Sequence, residues 1–244
     1  ESARLMQQSI LPEKLPESQL VTFYAAYIPA ERLSGDFYNV IKLDEDNIAL
    51  YMGDVAGHGV SAAMLTVFAN QNIKLLKESE IFEMNSPGYV MKNLYRSFNE
   101  TNFKIETYLV MLYGIYNTKN HRFTYSSAGI NVPPMIIKST GEILELKIEG
   151  FPICKLGNYY TPYFEDISIQ LNSGDIILFY TDGLIEYKSE KGIMYSQNDL
   201  KDFLIKNHTM KAPELFSAIR ENLFNKIGNE KIIDDVTFLI MEIN

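Results

Sequence analysis

Between Thr107 and Leu146 the chain is a succession of short β-forming runs. They cover Tyr108 to Tyr116, Arg122 to Ser127, Pro134 to Lys138 and Glu142 to Leu146, divided by turn signals such as Thr118-Lys119-Asn120 and Ser139-Thr140-Gly141. Such links suffice for hairpins but are far too short for the crossover that joins parallel strands, so the sheets must be antiparallel. The same pattern recurs elsewhere. Val21 to Ile28 alternates imperfectly, and Phe37 to Leu43 faces Asn47 to Asp54 across Asp44-Glu45-Asp46. Tyr163 to Leu171 and Asp175 to Thr181 are joined by Asn172-Ser173-Gly174, and a last run spans Val236 to Glu242. After the first strands, helical periodicity comes in consecutive pairs. One pair runs from about Val60 to Leu76 and from Ser86-Pro87 onward; the other covers Gln197 to Lys206 and Pro213 to Ile227. An α+β fold follows, with helix pairs forming layers outside a β-sandwich.

Residues 2–10 read as a short amphipathic helix carrying Leu5, Met6 and Ile10 on one side and stopped by Pro12 and Pro16. Two roles stand open for it: packing on its own domain, or continuing an upstream coiled coil that pairs two chains, which makes it a candidate homodimer contact. The sequence starts at Glu1 rather than Met. Residues 1–16 are therefore expected to be a linker helix from an upstream regulatory region, and residues 17–244 one domain, since no low-complexity segment divides them. An upstream signal is expected to act by shifting the Val60 to Leu76 helix. With 31 acidic against 22 basic side chains the formal charge is −9, and no basic cluster interleaved with aromatics occurs, which argues against nucleic acid as a partner. The apolar stretches are too short to cross a bilayer, and a single cysteine, Cys154, fits a reducing compartment. The expected location is cytoplasmic, including as the cytoplasmic part of a larger membrane-attached protein.

Chemistry concentrates in Gly53-Asp54-Val55-Ala56-Gly57-His58-Gly59, between a strand and a helix. Its glycines let the backbone fold tightly round a carboxylate and turn carbonyl oxygens toward it, the mixed oxygen set that hard divalent cations prefer. Three further acidic sites lie at strand ends: Asp36 in Ser34-Gly35-Asp36-Phe37-Tyr38, Asp182 in Tyr180-Thr181-Asp182-Gly183, and Asp234-Asp235 before Val236-Thr237-Phe238. Any one alone reads as a turn residue. Brought together they would repel one another, and two divalent metals would relieve that repulsion. Metals about 3.5–4 Å apart would also share and acidify a water and aim it in line at phosphorus.

These four motifs, in this order, resemble the metal-dependent PPM (PP2C-like) serine/threonine phosphatases. The nearest branch is the bacterial sporulation stage II E and sigma-factor-regulator group. Tyr27-Ile28-Pro29-Ala30, Ser127-Ala128-Gly129 and Glu186 fit as well, and Gln7 to Pro12 is similar to the linker preceding the domain. The resemblance implies a four-layer α/β/β/α sandwich with two central antiparallel sheets. It implies two divalent ions, Mn²⁺ or Mg²⁺, with Asp54 bridging both, the Val55 carbonyl on one, Asp182 and Asp234 completing the first site, and Asp36 binding or orienting water at the second. Asp235 is a further candidate. The implied reaction is hydrolysis of phosphoserine or phosphothreonine in a protein, often an anti-sigma-factor antagonist, by in-line attack of a metal-bridging hydroxide.

The chain departs from the family pattern at Ser34, where Gly is usual, at Asn39, where Asp is usual, at Ile130 in place of His, and at Cys154 in place of Gly. The first two should tune the site, and the loop after Gly129 should be rebuilt. His58 is a candidate general acid, against the plainer role of holding an aspartate or water. His121 and His208 fall in turn or helix-end positions and are expected to be solvated. Cys154 lacks the following Arg a cysteine phosphatase needs, so a small buried thiol is the simpler reading. Two other functions share the same features: a non-catalytic regulator that binds a phosphoprotein, and a hydrolase of small phosphate esters.

Overall fold

The computed structural model describes residues 2–79, 85–157, 160–189, 192 and 194–244. In chain order its elements are α1 (Ser2–Gln8), β1 (Val21–Ile28), β2 (Phe37–Lys42), β3 (Asn47–Val55), α2 (Val60–Ser79), α3 (Pro87–Glu100), β4 (Tyr108–Asn117), β5 (Arg122–Ala128), β6 (Met135–Ile137) and β7 (Ile143–Glu145). There follow β8 (Ile153–Cys154), β9 (Ile167–Gln170), β10 (Ile176–Tyr180), α4 (Gln197–Lys206), α5 (Ala212–Ile227) and β11 (Val236–Ile243). The elements sort into two compact units, each stitched from three stretches of chain.

The first unit comprises residues 1–16, 32–131 and 148–170. Its sheet runs β2-β3-β4-β5-β9, with the two-residue β8 added to β4. Every pairing is antiparallel: β2–β3 and β4–β5 are hairpins, while β3–β4, β4–β8 and β5–β9 join strands distant in sequence. β3 pairs with β4 along its whole length, from Asn47 opposite Asn117 to Val55 opposite Leu109, which delivers Asp54 to one end of the sheet. Helices α2 and α3 cover a core that includes Tyr51, Tyr113, Leu94 and Phe98. α3 starts sharply because Pro87 fits the first helical turn and the Ser86 hydroxyl accepts the Tyr89 N–H. Asp166 reinforces this start, accepting from the Ser86 hydroxyl at 2.8 Å and the Gly88 N–H at 2.5 Å. That contact explains why the expected strand from Tyr163 shortens to Ile167–Gln170: Phe164 leaves the ladder for the core beside Tyr95, and Asp166 turns to the helix end.

α1 packs on α2 within this unit, so the first of its two expected roles holds for the helix itself. Its Gln7 is buried and makes three hydrogen bonds: it accepts from the Ser34 N–H and donates to the Ser34 carbonyl and the Thr66 hydroxyl. Leu5 and Met6 remain exposed.

The second unit comprises residues 17–31, 132–147 and 171–244. Its sheet runs β1-β11-β10-β6-β7, again wholly antiparallel, with the last strand of the chain in the interior of the sheet. α4 and α5 pack on it through Leu200, Leu204, Leu215 and Leu223. α4 begins in a reciprocal capping box between Ser196 and Asp199. A buried ion pair, Lys138 Nζ to Asp175 Oδ2 at 2.6 Å, ties β6 to the entrance of β10. Among the described residues no helix is long and apolar enough to cross a membrane.

Candidate metal centre

The acidic residues singled out in the sequence fall into two groups, one in each unit. In the first unit the Val55 N–H donates to the Gly35 carbonyl at 3.1 Å and the Ala56 N–H to the Tyr108 carbonyl at 3.1 Å, so the end of β3 is pinned on both sides. The chain then turns through Gly57 and Gly59, whose φ values of 96° and 76° lie in the left-handed region that glycine tolerates. This turn points oxygens at Gly35. A methyl group built on Gly35 would stand 3.0 Å from Asp54 Oδ1, 3.0 Å from the Val55 carbonyl oxygen and 3.5 Å from the Gly57 carbonyl oxygen. One carboxylate and two carbonyl oxygens thus converge on a space kept open by the absence of a side chain, a donor set that suits a hard divalent cation. Asp36, the next residue, is buried, and its N–H donates to the Ser34 hydroxyl at 3.0 Å. The serine standing where the family has glycine therefore acts on the backbone of this turn. His58 is exposed.

In the second unit Asp182 opens a short 3-10 turn, and its carbonyl accepts from the N–H groups of Ile185 and Glu186. Thr181 and Thr237 lock the ends of β10 and β11: the Thr181 N–H donates to the Thr237 carbonyl at 2.9 Å, and the Thr237 N–H to the Thr181 hydroxyl at 3.0 Å. The Asp182 turn is thereby held beside the Asp234-Asp235 corner, so closely that a methyl on Gly183 would lie 2.0 Å from the Asp235 carbonyl oxygen. Partial desolvation, and then the charges of Asp182 and Asp235, push the Asp234 carboxyl above its ordinary range, against the Asp235 N–H that it accepts at 2.8 Å. A cation would remove that penalty. Asp235 has another duty: its Oδ1 accepts the Ala30 N–H at 2.8 Å and fastens the end of β1.

Among the described residues no three His, Cys, Asp or Glu side chains stand close enough to hold a metal ion between them. The first unit supplies much of its oxygen from the main chain instead, which a count of acidic side chains misses. The residues present fit a divalent ion on two observations: the oxygens converging on Gly35, and the carboxylates crowding Asp234.

Residues 44–244 match the family described as Stage II sporulation protein E (SpoIIE). The chain belongs to the SpoIIE family of PP2C-type protein phosphatases. Phosphoserine phosphatase RsbU of Bacillus subtilis is 28% identical to it over 241 residues, covering 99% of this chain and 69% of RsbU. Two further curated relatives are spanned over only 40% and 45% of their lengths. Among solved structures, the PP2C domain of SiaA from Pseudomonas aeruginosa superimposes with a TM-score of 0.85 at 21% identity, over 100% of this chain and 95% of that one. RsbX solved in complex with magnesium gives a TM-score of 0.68 at 13% identity, over 95% and 99%. These likenesses establish the PP2C fold, with its two antiparallel sheets and attendant helices.

Several SpoIIE-family departures now have structural accounts. Ile130 is buried, and Gly129 adopts φ 69° with a Cβ position only 2.9 Å from the ring of Pro152, so a side chain at position 129 has no room. Cys154 is half-buried in β8, a strand too short to show in the pattern, and burial pushes its thiol up. His121 is not simply solvated: its Nδ1 lies 2.7 Å from the Tyr116 hydroxyl. The contribution the sequence did not flag is Gln7. The sequence marked it only as the first residue of the linker-like run Gln7 to Pro12, within the amphipathic N-terminal pattern.

Proposed function

We propose that this chain removes phosphate from phosphoserine or phosphothreonine in a bacterial signalling protein, an anti-sigma-factor antagonist being the substrate class. The observation that carries this reading is the convergence of Asp54 Oδ1 with the Val55 and Gly57 carbonyl oxygens on Gly35, in a chain of the SpoIIE family. The proposed ligands for divalent ions, Mn²⁺ or Mg²⁺, are Asp36, Asp54 and the Val55 carbonyl in the first unit and Asp182 and Asp234 in the second. Such ions, when bound, supply the positive charge that acidifies a water and offsets the phosphoryl oxygens. The chain's own part is positional. Gly35 keeps the oxygen cradle clear, buried Asp36 orients water, and the Thr181–Thr237 pair with Asp235 holds Asp182 and Asp234 in place. Residues 1–16 are read as the segment through which an upstream regulatory region acts.

The test is hydrolysis of p-nitrophenyl phosphate and of phosphoserine and phosphothreonine peptides with and without Mn²⁺. Turnover should require the metal, stop in excess EDTA, and disappear in Asp54→Asn with the melting temperature retained. Metal binding without phosphate release would instead mark a phosphoprotein-binding regulator, and preference for the small ester would mark a small-molecule hydrolase. Full activity of Asp54→Asn overturns the ligand assignment.

A further inference from the structure

Three side chains on three different elements of the first unit form a hydrogen-bonded line beneath α2. The Tyr51 hydroxyl on β3 donates to Asn70 Oδ1 on α2 at 2.8 Å and accepts from Asn39 Nδ2 on β2 at 3.3 Å. The direction of this line is set by backbone groups. Asn39 Oδ1 accepts the Val40 N–H at 2.8 Å, which turns its NH₂ toward Tyr51, and Asn70 Nδ2 donates to the Thr66 carbonyl at 2.9 Å, which turns its oxygen toward Tyr51. With both amides fixed, the Tyr51 proton can go only to Asn70. Tyr51 is fully buried and stacked on Tyr113, with ring centroids 6.0 Å apart, and burial holds its hydroxyl protonated far above the ordinary range.

The position of this line matters because of what lies between its ends. β3 stops at Val55 and α2 starts at Val60, so the intervening turn has only residues 56–59, and Gly57 and Gly59 leave its backbone soft. Tyr51 lies on the strand entering that turn and Asn70 on the helix leaving it. The bond between them staples the two arms together in a core where an unpaired hydroxyl or amide is costly. Asn39 also departs from the aspartate usual in the family. A carboxylate there would offer Tyr51 an acceptor instead of a donor and draw its proton away from Asn70.

We propose that Asn39, Tyr51 and Asn70 form a directional relay that fixes α2 against β2 and β3 and so positions the Asp54 turn for metal binding. The proposal rests on the reading of that turn as a metal site. Asn39 and Tyr51 are positioning residues, not ligands. Tyr51→Phe deletes the hydroxyl and keeps the ring. Asn39→Asp, at a half-buried position, reverses the polarity of one link and carries the test if Tyr51→Phe does not fold. Mn²⁺ binding by calorimetry and the Mn²⁺ concentration giving half-maximal p-nitrophenyl phosphate hydrolysis are measured for wild type, both single variants and the double variant.

Each single variant should weaken Mn²⁺ binding about tenfold, the low end of what losing an outer-shell partner costs, with turnover at saturating Mn²⁺ retained. The double variant should be no worse than Tyr51→Phe alone, because Asn39 acts only through the hydroxyl. Mn²⁺ affinity unchanged in the variants, with only the melting temperature lowered, overturns the relay, as do losses that add in the double variant. If wild type binds Mn²⁺ but releases no phosphate, the phosphatase reading fails while calorimetry still decides the relay.

Discussion

Gly35→Ala is the sharpest probe of the oxygen cradle, because its added methyl is aimed at the proposed ligands. The new carbon would sit 3.0 Å from both Asp54 Oδ1 and the Val55 carbonyl oxygen, so both must retreat by a few tenths of an ångström. The Val55 end cannot move alone, since its N–H is bonded to the Gly35 carbonyl. Overpacking of this kind costs about 1–3 kcal/mol, and the soft turn at Gly57 and Gly59 should hold the cost near the lower figure. At roughly 2–4 °C per kcal/mol for a chain of this size, the metal-free melting temperature should fall by only a few degrees. Metal affinity should suffer more. Mg²⁺ demands nearly ideal octahedral geometry at about 2.0–2.1 Å, so displaced oxygens should weaken Mg²⁺ binding by about a hundredfold, or about 2.7 kcal/mol. Gly174→Ala is the control: Gly174 has φ 85° in the second unit, where the substitution strains the backbone away from Asp54. Calorimetric titration and melting in EDTA would compare the two variants. Gly35→Ala binding Mg²⁺ as tightly as Gly174→Ala would refute the argument that these oxygens hold the ion.

Asp234→Asn should change how metal-free stability responds to pH. The folded protein holds the Asp234 proton more tightly than the unfolded chain does, so wild type loses stability as pH rises from the ordinary value of 3.8 through the raised folded value. The Asn variant should gain on wild type across that window, and denaturation in EDTA at a series of pH values would show a flat difference if the reasoning is wrong. Lys138→Met should cost about 3–5 kcal/mol by leaving the Asp175 carboxylate buried and uncompensated, since Asp175 is 2% exposed and its partner 18%. Chemical denaturation of this variant alongside Lys138→Met/Asp175→Leu checks it, because removing both charges should recover much of the loss.

What could be read from the sequence was whatever repeats with a short period or carries its own punctuation. β4, β5, β10 and β11 emerged from dense apolar and aromatic runs between turns, and α3 from Ser86-Pro87 followed by an apolar stripe. The two acidic groups were visible because aspartate beside glycine at a strand end is a local pattern. What escaped depended on distant partners. β8 exists only because Ile153 and Cys154 find the start of β4. Residues 163–166 left their strand for a helix end lying far back in sequence. Gln7 looked like one polar residue in a short helix, and its burial comes from meeting Ser34 and Thr66. The oxygen cradle was half visible, since the glycines announced a tight turn but not that carbonyls would aim at Gly35.

The placement of β11 governs how this protein can come into being. It follows all ten other strands in the sequence, yet it lies between β1 and β10, with Val21 opposite Ile243 and Ile176 opposite Glu242. During synthesis β1 must therefore wait for more than two hundred residues to leave the ribosome before its neighbour exists. Until then β1 presents an unpaired strand edge, the kind of surface that recruits other chains. Loss of β11 would split the second sheet between β1 and β10 rather than trim its border.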